Sequence, residues 1–330
     1  MTAGIPFTKM VGAGNDFVVV DAKQVARSLH ARWPAVARAM CDRRYGIGAD
    51  GLLVLEPSRI ADIRMRVFNP DGSEARMCGN GARCVARYVR AEEPSKGDGR
   101  HVMIQTQAGL VPTVVESNAV SIWISDPRVL ELGKAVNVNG TRYALTVLDT
   151  GVPHVVLFVD NLEEQDVEPL GRAIRSHKAF QPAGTNVNFV KKLTNKSLAI
   201  RTYERGVEHE TLACGTGTAA AAIAGLLLRR VSGQVINKAM VAEERMTSAL
   251  RREYGDASRA LPATIADNSS ERPNRMIEVQ TASGEVLRVK LRVREKHGEE
   301  GALQVSNVVL EGSATRVFDG VFSWQEVGRS

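Results

Sequence analysis

The sequence predicts an α+β fold in which each half of the chain wraps a strongly curved sheet around one central helix. Three observations support this. Short strand-like segments far outnumber helical ones. The string Cys-Gly-x-Gly occurs once in each half, at Cys78 and at Cys214, and each copy precedes an alanine-rich helical pattern. The chain has 330 residues, which is enough for two domains.

Segments with the apolar pattern of strands occur throughout both halves. In the first half they are Phe17–Val20, Leu52–Leu55, Ile63–Phe68, Val102–Thr106, Pro112–Val115 and Val120–Ile124. In the second half they are Leu145–Leu148, Val155–Val159, Val187–Val190, Leu198–Tyr203, Ile277–Gln280, Val286–Val293 and Leu303–Val309.

Helical patterns are fewer, and four are predicted. The first runs from Trp33 to Arg44, with a proline in its first turn and a glycine just past its end. The others are expected from Cys78 to about Glu92, over 167–177, and from Cys214 to about Arg230.

The two halves resemble each other as a distant internal repeat. In the first, the strand-like 64–69 leads through a polar turn to Cys78 and its helix. In the second, 199–204 leads through a turn to Cys214 and its helix. A repeated strand, turn and helix predicts one supersecondary unit per half.

The segment 233–274 does not fit this repeat. It is polar, carries several charged clusters and separates the fourth helix from the next strand. We interpret it as a peripheral insertion without a part in the chemistry, with a short surface helix at 241–254.

Composition excludes several classes of function. The net charge is +6, but Lys and Arg are dispersed and no basic block is interleaved with aromatic residues, which disfavours nucleic-acid binding. The basic residues Arg288, Lys290 and Arg292 share one face of a predicted strand, which we interpret as a solvated sheet face.

The compartment is predicted from the cysteines and the hydropathy pattern. Four cysteines in so long a chain disfavour a disulfide scaffold, and no His or Cys spacing resembles a metal site. No signal-peptide pattern is visible, and the longest apolar run, 219–228, is too short to span a bilayer. These observations predict a cytoplasmic protein that needs no metal and has no membrane partner.

The repeated motif places a thiol just before a helix start. The helix dipole and the free N–H groups there acidify such a thiol, so that it becomes a usable base near pH 7. The orphan N–H groups of Gly79, Asn80, Gly215 and Thr216 are expected to bind a carboxylate and to stabilise charge that spreads onto it.

Two such thiols can together invert a carbon centre. A thiolate removes the α-proton from one face while its twin, still protonated, returns one to the other face. The two titrations are then coupled. The motif therefore predicts a racemase or epimerase that needs no cofactor, with Cys78 and Cys214 as the acid–base pair. Cys41 and Cys84 are expected to be inert buried side chains.

Further polar residues lie at strand ends or in glycine-rich loops, where binding groups tend to lie. Taken singly, each asparagine suits a turn as well as a ligand, and Arg205 suits a bidentate grip on a carboxylate. His154 has two interpretations: it orients an ammonium or tunes a thiol, or it makes a structural hydrogen bond. The candidates are Asn15, Asn69, His154, Asn186, Glu204 and Arg205.

Five strings carry a family resemblance. In chain order they are Gly-Ala-Gly-Asn-Asp-Phe, Phe-Asn-Pro-Asp-Gly-Ser-Glu, Met-Cys-Gly-Asn-Gly-Ala-Arg-Cys, Tyr-Glu-Arg-Gly and Leu-Ala-Cys-Gly-Thr-Gly-Thr-Ala. The sequence resembles diaminopimelate epimerases from about Phe7 to the end, with 233–274 unmatched. The resemblance implies interconversion of LL- and meso-diaminopimelate, without pyridoxal phosphate or metal, on the route to lysine and peptidoglycan.

The resemblance also implies the organisation of the molecule. It implies two pseudo-symmetric domains, each a curved, mostly antiparallel sheet around a central helix, with the site in the cleft between them and often a homodimer. The first domain is expected at 1–126 plus 315–330, because the last strand, 316–324, returns to complete it. The second is expected at 127–314, including the insertion 233–274.

The resemblance assigns roles to the candidates. Cys78 and Cys214 are the acid–base pair, and His154 and Glu204 resemble residues that assist the thiols. The carboxylate of the reacting centre is held by Gly79, Asn80, Gly215 and Thr216. The rest of the substrate, including the distal L-centre, is recognised by Asn15, Asn69, Asn186, Glu204 and Arg205.

The chain departs from the family pattern at three positions. Val152 stands where many members have asparagine, and Gly51 where many have glutamine, which changes contacts to the distal end of the substrate. Ser313 replaces a frequent proline.

Two other functions remain as alternatives. Proline and hydroxyproline racemases use two cysteines, but they tend to show Met-Cys-Gly-His where this chain has Met-Cys-Gly-Asn. A dithiol redox protein is the alternative from another class, and the absence of a Cys-x-x-Cys pair disfavours it. Ligand capture alone gives no reason for paired thiols, which disfavours a binding module.

Overall fold

A computed structural model shows the fold and describes residues 3–92, 101–124, 126–235, 275–295 and 303–324. The chain forms two compact units, Met1–Ile122 with Ser313–Ser330, and Trp123–Gly312. We call them unit 1 and unit 2. Within these described ranges, each unit contains two α-helices and a set of paired β-strands.

Unit 1 contains helices α1 (Trp33–Cys41) and α2 (Gly79–Glu92). Its strands are β1 (Ala3–Gly12), β2 (Asn15–Asp21), β3 (Gly51–Glu56), β4 (Ile63–Phe68), β5 (Glu74–Ala75), β6 (His101–Thr106), β7 (Gly109–Val115), β8 (Val120–Trp123, which ends at the boundary) and, last in the chain, β19 (Thr315–Trp324).

Unit 2 contains helices α3 (Val167–Arg175) and α4 (Gly215–Leu227). Its strands are β9 (Arg128–Val138), β10 (Thr141–Asp149), β11 (Pro153–Phe158), β12 (Asn186–Lys192), β13 (Ser197–Glu204), β14 (His209–Thr211), β15 (Gln234–Val235), β16 (Arg275–Gln280), β17 (Val286–Glu295) and β18 (Leu303–Gly312).

The strand pairing of unit 1 combines hairpins with two parallel contacts. β1 lies antiparallel to both β19 and β2, and β2 runs parallel to β3 through a crossover that contains α1. β4 is antiparallel to β3 and β5 and parallel to β6, and β6, β7 and β8 form a meander. Parallel neighbours require a long connection, which explains why helices occur at these two points of the chain.

Unit 2 repeats this order of pairings. β10 is antiparallel to β9 and β11, and β11 runs parallel to β12 through the crossover that contains α3. β13 is antiparallel to β12 and β14 and parallel to β16, and β16, β17 and β18 form a meander. The repeat expected from the cysteine motifs is therefore a repeat of topology, with α2 equivalent to α4 and α1 to α3.

One helix of each unit is enclosed by strands. α2 packs against β1, β2, β3, β4, β6, β7 and β19, and α4 against β10 to β13 and β16 to β18. Every residue from Ala219 to Ala224 is fully buried, which explains why α4 is apolar on all sides. The predicted α+β class with a central helix per half is confirmed.

The other helix of each unit covers the opposite face of the sheet. α1 places Trp33, Val36 and Met40 on Val18, Leu52 and Phe68, among other apolar side chains. Ile174 of α3 packs likewise with Val155, Val187 and Phe189. Both faces of the middle strands are thereby covered, and so β3 is apolar at consecutive positions from Gly51 to Leu55.

Three helices end earlier than predicted. α1 ends at Cys41 because Asp42 leaves the helical conformation and its side chain accepts the backbone N–H groups of Arg44 and Tyr45. α3 ends at Arg175, and α4 at Leu227, two residues before Arg229 turns to a positive φ of 55°. Local capping, which hydrophobic periodicity does not report, sets each of these ends.

The predicted insertion lies mostly outside the described residues. Its first residues form β15, which pairs with β16, and so the part of 233–274 that is described belongs to the sheet. The surface helix expected at 241–254 lies outside the described residues.

Candidate active site

Cys78 lies between β5 and α2, at the start of the central helix of unit 1. Its carbonyl accepts the N–H of Ala82 at 2.8 Å, and its Sγ accepts the N–H of Gly81 at 3.4 Å. A Cβ on Gly81 would lie 2.9 Å from Leu53 Cδ2. Glycine at this position therefore lets the first turn of α2 lie close to β3 while its own N–H donates to a half-buried thiol.

Asn80 and Asn15 meet beside this helix start. Asn80 Nδ2 donates to Asn15 Oδ1 at 2.6 Å, and Asn15 Nδ2 donates to Asp50 Oδ2 at 2.9 Å. At the other end, the fully buried Arg83 donates from Nη2 to Asn80 Oδ1 at 2.6 Å. A guanidinium, which only donates, and a carboxylate, which only accepts, therefore fix the orientation of both amides.

The acidic end of this chain of hydrogen bonds continues into an ion cluster. Arg43 donates to Asp50 at 2.6 Å and to Asp16 at 2.8 Å, and Asp16 also accepts from the buried Lys9 at 2.6 Å. Lys9 donates to the carbonyl of Gly48 as well. Burial alone raises the pKa of Asp16, but the hydrogen bonds from Arg43 and Lys9 outweigh it and hold that pKa at about 2. The cluster anchors the β1–β2 turn that carries Asn15.

Asn69 occupies a different setting in unit 1. It follows β4 and donates from Nδ2 to Ser73 Oγ at 2.9 Å, while its backbone N–H bonds the carbonyl of Ser73. Here the side chain supports a tight turn, which is the first of the two roles expected for asparagines at such positions.

Cys214 is the N-cap of α4 in unit 2, in the position equivalent to Cys78. It has an extended backbone, its carbonyl accepts the N–H of Thr218 at 2.8 Å, and its Sγ lies 3.6 Å from Thr216 Oγ1. A Cβ on Gly217 would lie 3.3 Å from Cys214 Sγ and 2.4 Å from Asn188 Oδ1. Gly217 thus allows the helix start to approach β12, as Gly81 does at β3.

His154 begins the buried part of β11 and is completely inaccessible to solvent. Asn188 of β12 donates to its Nδ1 at 3.1 Å and to the carbonyl of Val155 at 2.9 Å. Burial lowers the pKa of His154 to about 3, a shift that Asp149 opposes and Arg205 reinforces electrostatically. The imidazole is therefore neutral at physiological pH.

Asn186, Glu204 and Arg205 lie together at the ends of β12 and β13. Asn186 Nδ2 donates to the carbonyl of Pro153, and its Oδ1 accepts the backbone N–H of Arg205 at 2.9 Å. The Arg205 guanidinium donates to the carbonyl of Ala183 at 2.9 Å, and Glu204 Oε2 accepts from Thr211 at 2.9 Å. A cation and an anion next to each other in sequence suit the carboxylate and ammonium of an amino acid.

The two remaining cysteines are buried, as expected. Cys84 lies inside α2, with its Sγ 3.0 Å from where a Cβ on Gly12 would lie. Cys41, at the end of α1, is 2% exposed, and burial raises the pKa of its thiol to about 12. None of the four cysteines is in a disulfide.

Four residues that orient candidate site residues are not among the candidates predicted from the sequence: Arg83, Asp50, Asn188 and Thr202. Arg83 is three residues after Asn80 and so on the same helix face, a spacing that could have identified it. Asn188 and Thr202 reach their partners through strand pairing, and Asp50 reaches its partner from the bend before β3, and the sequence carries no local signal for either.

Two further properties belong to the described residues as a whole. No group of three His, Cys, Asp or Glu side chains there is placed to hold a metal ion. None of the helices in the described ranges is long and apolar enough to cross a membrane.

Solved structures share this fold. A phenazine biosynthesis protein of the PhzF family from Bacillus anthracis matches with a TM-score of 0.61 at 16% identity, covering 97% of this chain and 99% of its own. A hydroxyproline epimerase from Agrobacterium vitis matches with a TM-score of 0.63 at 15% identity, covering 98% and 92%. At these identities the likeness establishes the class of fold, two similar α+β halves, and nothing about the substrate.

The sequence itself matches the Diaminopimelate epimerase family over residues 7–129 and 146–253. A diaminopimelate epimerase from Caldanaerobacter subterraneus subsp. tengcongensis is 42% identical, over 69% of this chain and 86% of that protein. Those from Archaeoglobus fulgidus and a Hydrogenobaculum species are 40% and 32% identical, over 80% and 96% of this chain and 97% and 98% of those proteins. The chain belongs to the diaminopimelate epimerase family, which confirms the predicted isomerase class.

Proposed function

We propose that the chain interconverts LL- and meso-2,6-diaminopimelate, the compound for which its relatives are named, with Cys78 and Cys214 as the acid–base pair. One observation supports this mechanism above the others. Each unit carries a cysteine at the same point of the same topology, at the start of its enclosed helix. Equivalent thiols on equivalent helices suit a reaction whose forward and reverse directions exchange the roles of base and acid.

The proposed chemistry is a balanced proton exchange. One cysteine, as the thiolate, removes the α-proton and becomes a thiol. The other gives its proton to the opposite face of the same carbon and becomes the thiolate. The helix-start N–H groups of Gly79, Asn80, Gly215 and Thr216 hold the α-carboxylate and stabilise the carbanion charge that spreads onto it. No cofactor takes part in this sequence of steps.

The local hydrogen bonds suggest which part of the substrate each recognition residue meets. Asn15 accepts from Asn80 with its oxygen and donates one N–H to Asp50, so its second N–H is the donor that suits a substrate carboxylate. Arg205 suits the distal carboxylate and Glu204 the distal ammonium, with Asn186 holding the Arg205 backbone. Asn69 is assigned to the same group of substrate contacts, and His154 and Glu204 assist the thiols.

We also propose that the chain forms a homodimer through β19 in the cytoplasm. β19 pairs with β1, and its Val317, Phe318 and Val321 are exposed at 54%, 48% and 67%. Exposed apolar side chains on a strand of this length suit an interface. Static light scattering should give twice the chain mass for the native protein and the single mass for Val321→Asp.

The proposed compartment is tested by fractionation of the source cells, in which the chain should be recovered with the cytoplasmic fraction.

The reaction is tested by incubation in heavy water. We expect deuterium to enter one α-carbon of diaminopimelate while the LL and meso forms interconvert. Free proline and trans-4-hydroxyproline should show no exchange under the same conditions. Exchange into proline without exchange into diaminopimelate would assign the chain to the racemases instead.

The acid–base pair is tested by substitution of single cysteines. We expect Cys78→Ser and Cys214→Ser each to reduce kcat for epimerisation by roughly 10³ or more, since loss of a positioned acid or base commonly costs about 10²–10⁴. Cys41→Ala, which alters only a buried thiol, is the matched control and should retain near-normal kcat. A near-normal rate in either of the first two variants would remove that cysteine from the mechanism.

A further inference from the structure

The environment of His154 on β11 determines which nitrogen of its imidazole carries the proton. The ring is fully buried, and within the described part of the chain its Nε2 has no hydrogen-bond partner. Its Nδ1 faces the side-chain nitrogen of Asn188 at 3.1 Å. An imidazole nitrogen can donate or accept depending on its tautomer, and so the neighbour decides which it does.

The orientation of Asn188 can be deduced from its other partners. Its side-chain nitrogen lies 2.9 Å from the carbonyl of Val155, which only accepts, and so this atom must be Nδ2. Its oxygen then accepts the hydroxyl of Thr202 at 3.0 Å. Both N–H groups and the oxygen of this fully buried amide have partners. A flipped amide would place its oxygen against the Val155 carbonyl, at a cost comparable to that of an unmade buried hydrogen bond.

We propose that Asn188 is a positioning residue that holds His154 as the neutral Nε2–H tautomer, so that this imidazole donates a hydrogen bond in the reaction and never accepts a proton. The proposal rests on the proposed function and deepens it. It assigns His154 one of the roles left open by the sequence, assistance to a thiol. It excludes another, orientation of an ammonium group, because an ammonium has only protons to offer and both ring nitrogens are then unable to accept them.

The same amide connects this histidine to the Cys214 end of α4. A Cβ built on Gly217 would lie 2.4 Å from Asn188 Oδ1 and 3.3 Å from Cys214 Sγ, so the amide oxygen and the thiol both lie close to Gly217. A donor in this region favours the thiolate form of a cysteine and opposes loss of negative charge from it. Asn188 therefore contacts His154 with its amide nitrogen and lies next to Gly217, in the first turn of α4, with its amide oxygen.

Nitrogen NMR tests the proposal without substrate. The protein, which contains six histidines, is labelled with ¹⁵N-histidine, and the signals of His154 are assigned by their loss in His154→Phe. We expect an unprotonated Nδ1 and a protonated Nε2, with no titration of either between pH 6 and 9. A protonated Nδ1 with a bare Nε2, or an imidazolium that titrates in this range, would overturn the proposal.

Two variants separate positioning from structural support. In Asn188→Asp the side chain only accepts, and so Nδ1 of His154 should become protonated and kcat should fall by roughly tenfold or more. Thr202→Val is the matched control, because it removes a hydrogen bond to the same amide and leaves Nδ2 on the Val155 carbonyl. Its His154 spectrum should equal that of the native protein. A changed tautomer in Thr202→Val, or an unchanged one in a folded Asn188→Asp, would contradict the assignment.

Deuterium exchange and the nitrogen signals of His154 test the proposed function and the role of Asn188 separately. If the chain fails to exchange deuterium into diaminopimelate but His154 shows the expected nitrogen signals, the proposed function fails and the tautomer assignment stands. If the exchange occurs and the signals are reversed, the positioning role fails and the function stands.

Discussion

The cysteines of this chain occupy different environments. Cys78 and Cys214 lie at helix starts, where the N–H of Gly81 approaches the first sulfur and the hydroxyl of Thr216 the second. Cys41 lies in the apolar cluster around α1, where burial raises the pKa of its thiol to about 12. Local surroundings, and not residue type, therefore separate the thiols proposed for chemistry from those that fill space.

The buried thiol of Cys41 predicts a loss of stability in alkaline solution. Its pKa in the folded protein lies above the usual value, so the folded state holds this proton more tightly than the unfolded state does. The resulting stability is present below about pH 9 and is lost as the pH rises towards 12. Denaturant unfolding between pH 8 and 11 should show a shallower decline for Cys41→Ala than for the native chain. Equal slopes would contradict this account.

The lowered pKa of Asp16 predicts a loss of stability in acid solution. Its pKa lies at about 2 against a model-compound value of 3.8, so it binds its proton less readily when folded. Stability from this group is present above about pH 4 and is lost as the pH falls towards 2. Asp16→Asn should unfold more easily at pH 7 and show a weaker decline below pH 4. Asp71→Asn, in an exposed turn, serves as the control and should follow the native acid profile more closely.

At the scale of elements, local patterns predicted the helices better than the strands. α2 and α4 begin at Gly79 and Gly215, immediately after the cysteines, because a turn followed by an alanine-rich run carries its own signal. β1 and β9 were not predicted. β1 contains a proline and two glycines, and the first six residues of β9 are exposed, so neither shows a two-residue apolar period. Their partners β19 and β10 define them as strands.

The packing of α4 predicts that alanine costs much more stability at one of its glycines, Gly217, than at another, Gly225. A Cβ on Gly217 would meet Asn188 Oδ1 at 2.4 Å, and that oxygen is held by a hydrogen bond. A Cβ on Gly225 would meet methyl groups of Val231 and Leu198 at 3.1 and 3.3 Å, so these side chains need to move by only a few tenths of an ångström. Gly217→Ala should therefore reduce the free energy of unfolding by about 2 kcal/mol or more, within the range for overpacking.

The control for this pair is Gly225→Ala in the same helix. This substitution should lower the free energy of unfolding clearly less than Gly217→Ala, because a gain in helix propensity of about 1 kcal/mol offsets the crowding. Urea denaturation followed by circular dichroism measures both variants. Equal costs at the two sites would show that the oxygen of Asn188 yields more readily than its hydrogen bonds imply.

At the scale of the whole molecule, the sequence predicted the fold class and the repeat but not the details of pairing. The repeat was visible because both cysteine strings survive in it, whereas the crossover helices α1 and α3 share no motif. The orientation of Asn15 and His154 was not predictable, because it depends on side chains brought together from segments distant in sequence. Specific strings thus identify a family more readily than they show how its site is held in place.

The last strand predicts how the chain tolerates truncation. β19 pairs with β1 along its length, and Thr8 Oγ1 donates to Asp319 at 2.6 Å. A chain that ends at Gly312 lacks this strand and exposes the edge of β1 together with one side of α2. We expect it to lose cooperative unfolding of unit 1 and to be cleaved there rapidly by thermolysin. Deletion of residues 326–330, after β19, is the control and should leave proteolysis unchanged.

The pairing of β1 with β19 also has a consequence for synthesis on the ribosome. The second segment of unit 1, Ser313–Ser330, follows all of unit 2 in the chain. β1 therefore leaves the ribosome about three hundred residues before its partner β19. Until β19 has been synthesised, the nascent chain presents an unpaired edge of β1, which other nascent chains or chaperones can bind. Unit 2 is contiguous and is free to fold first, and unit 1 closes only after β19 has emerged.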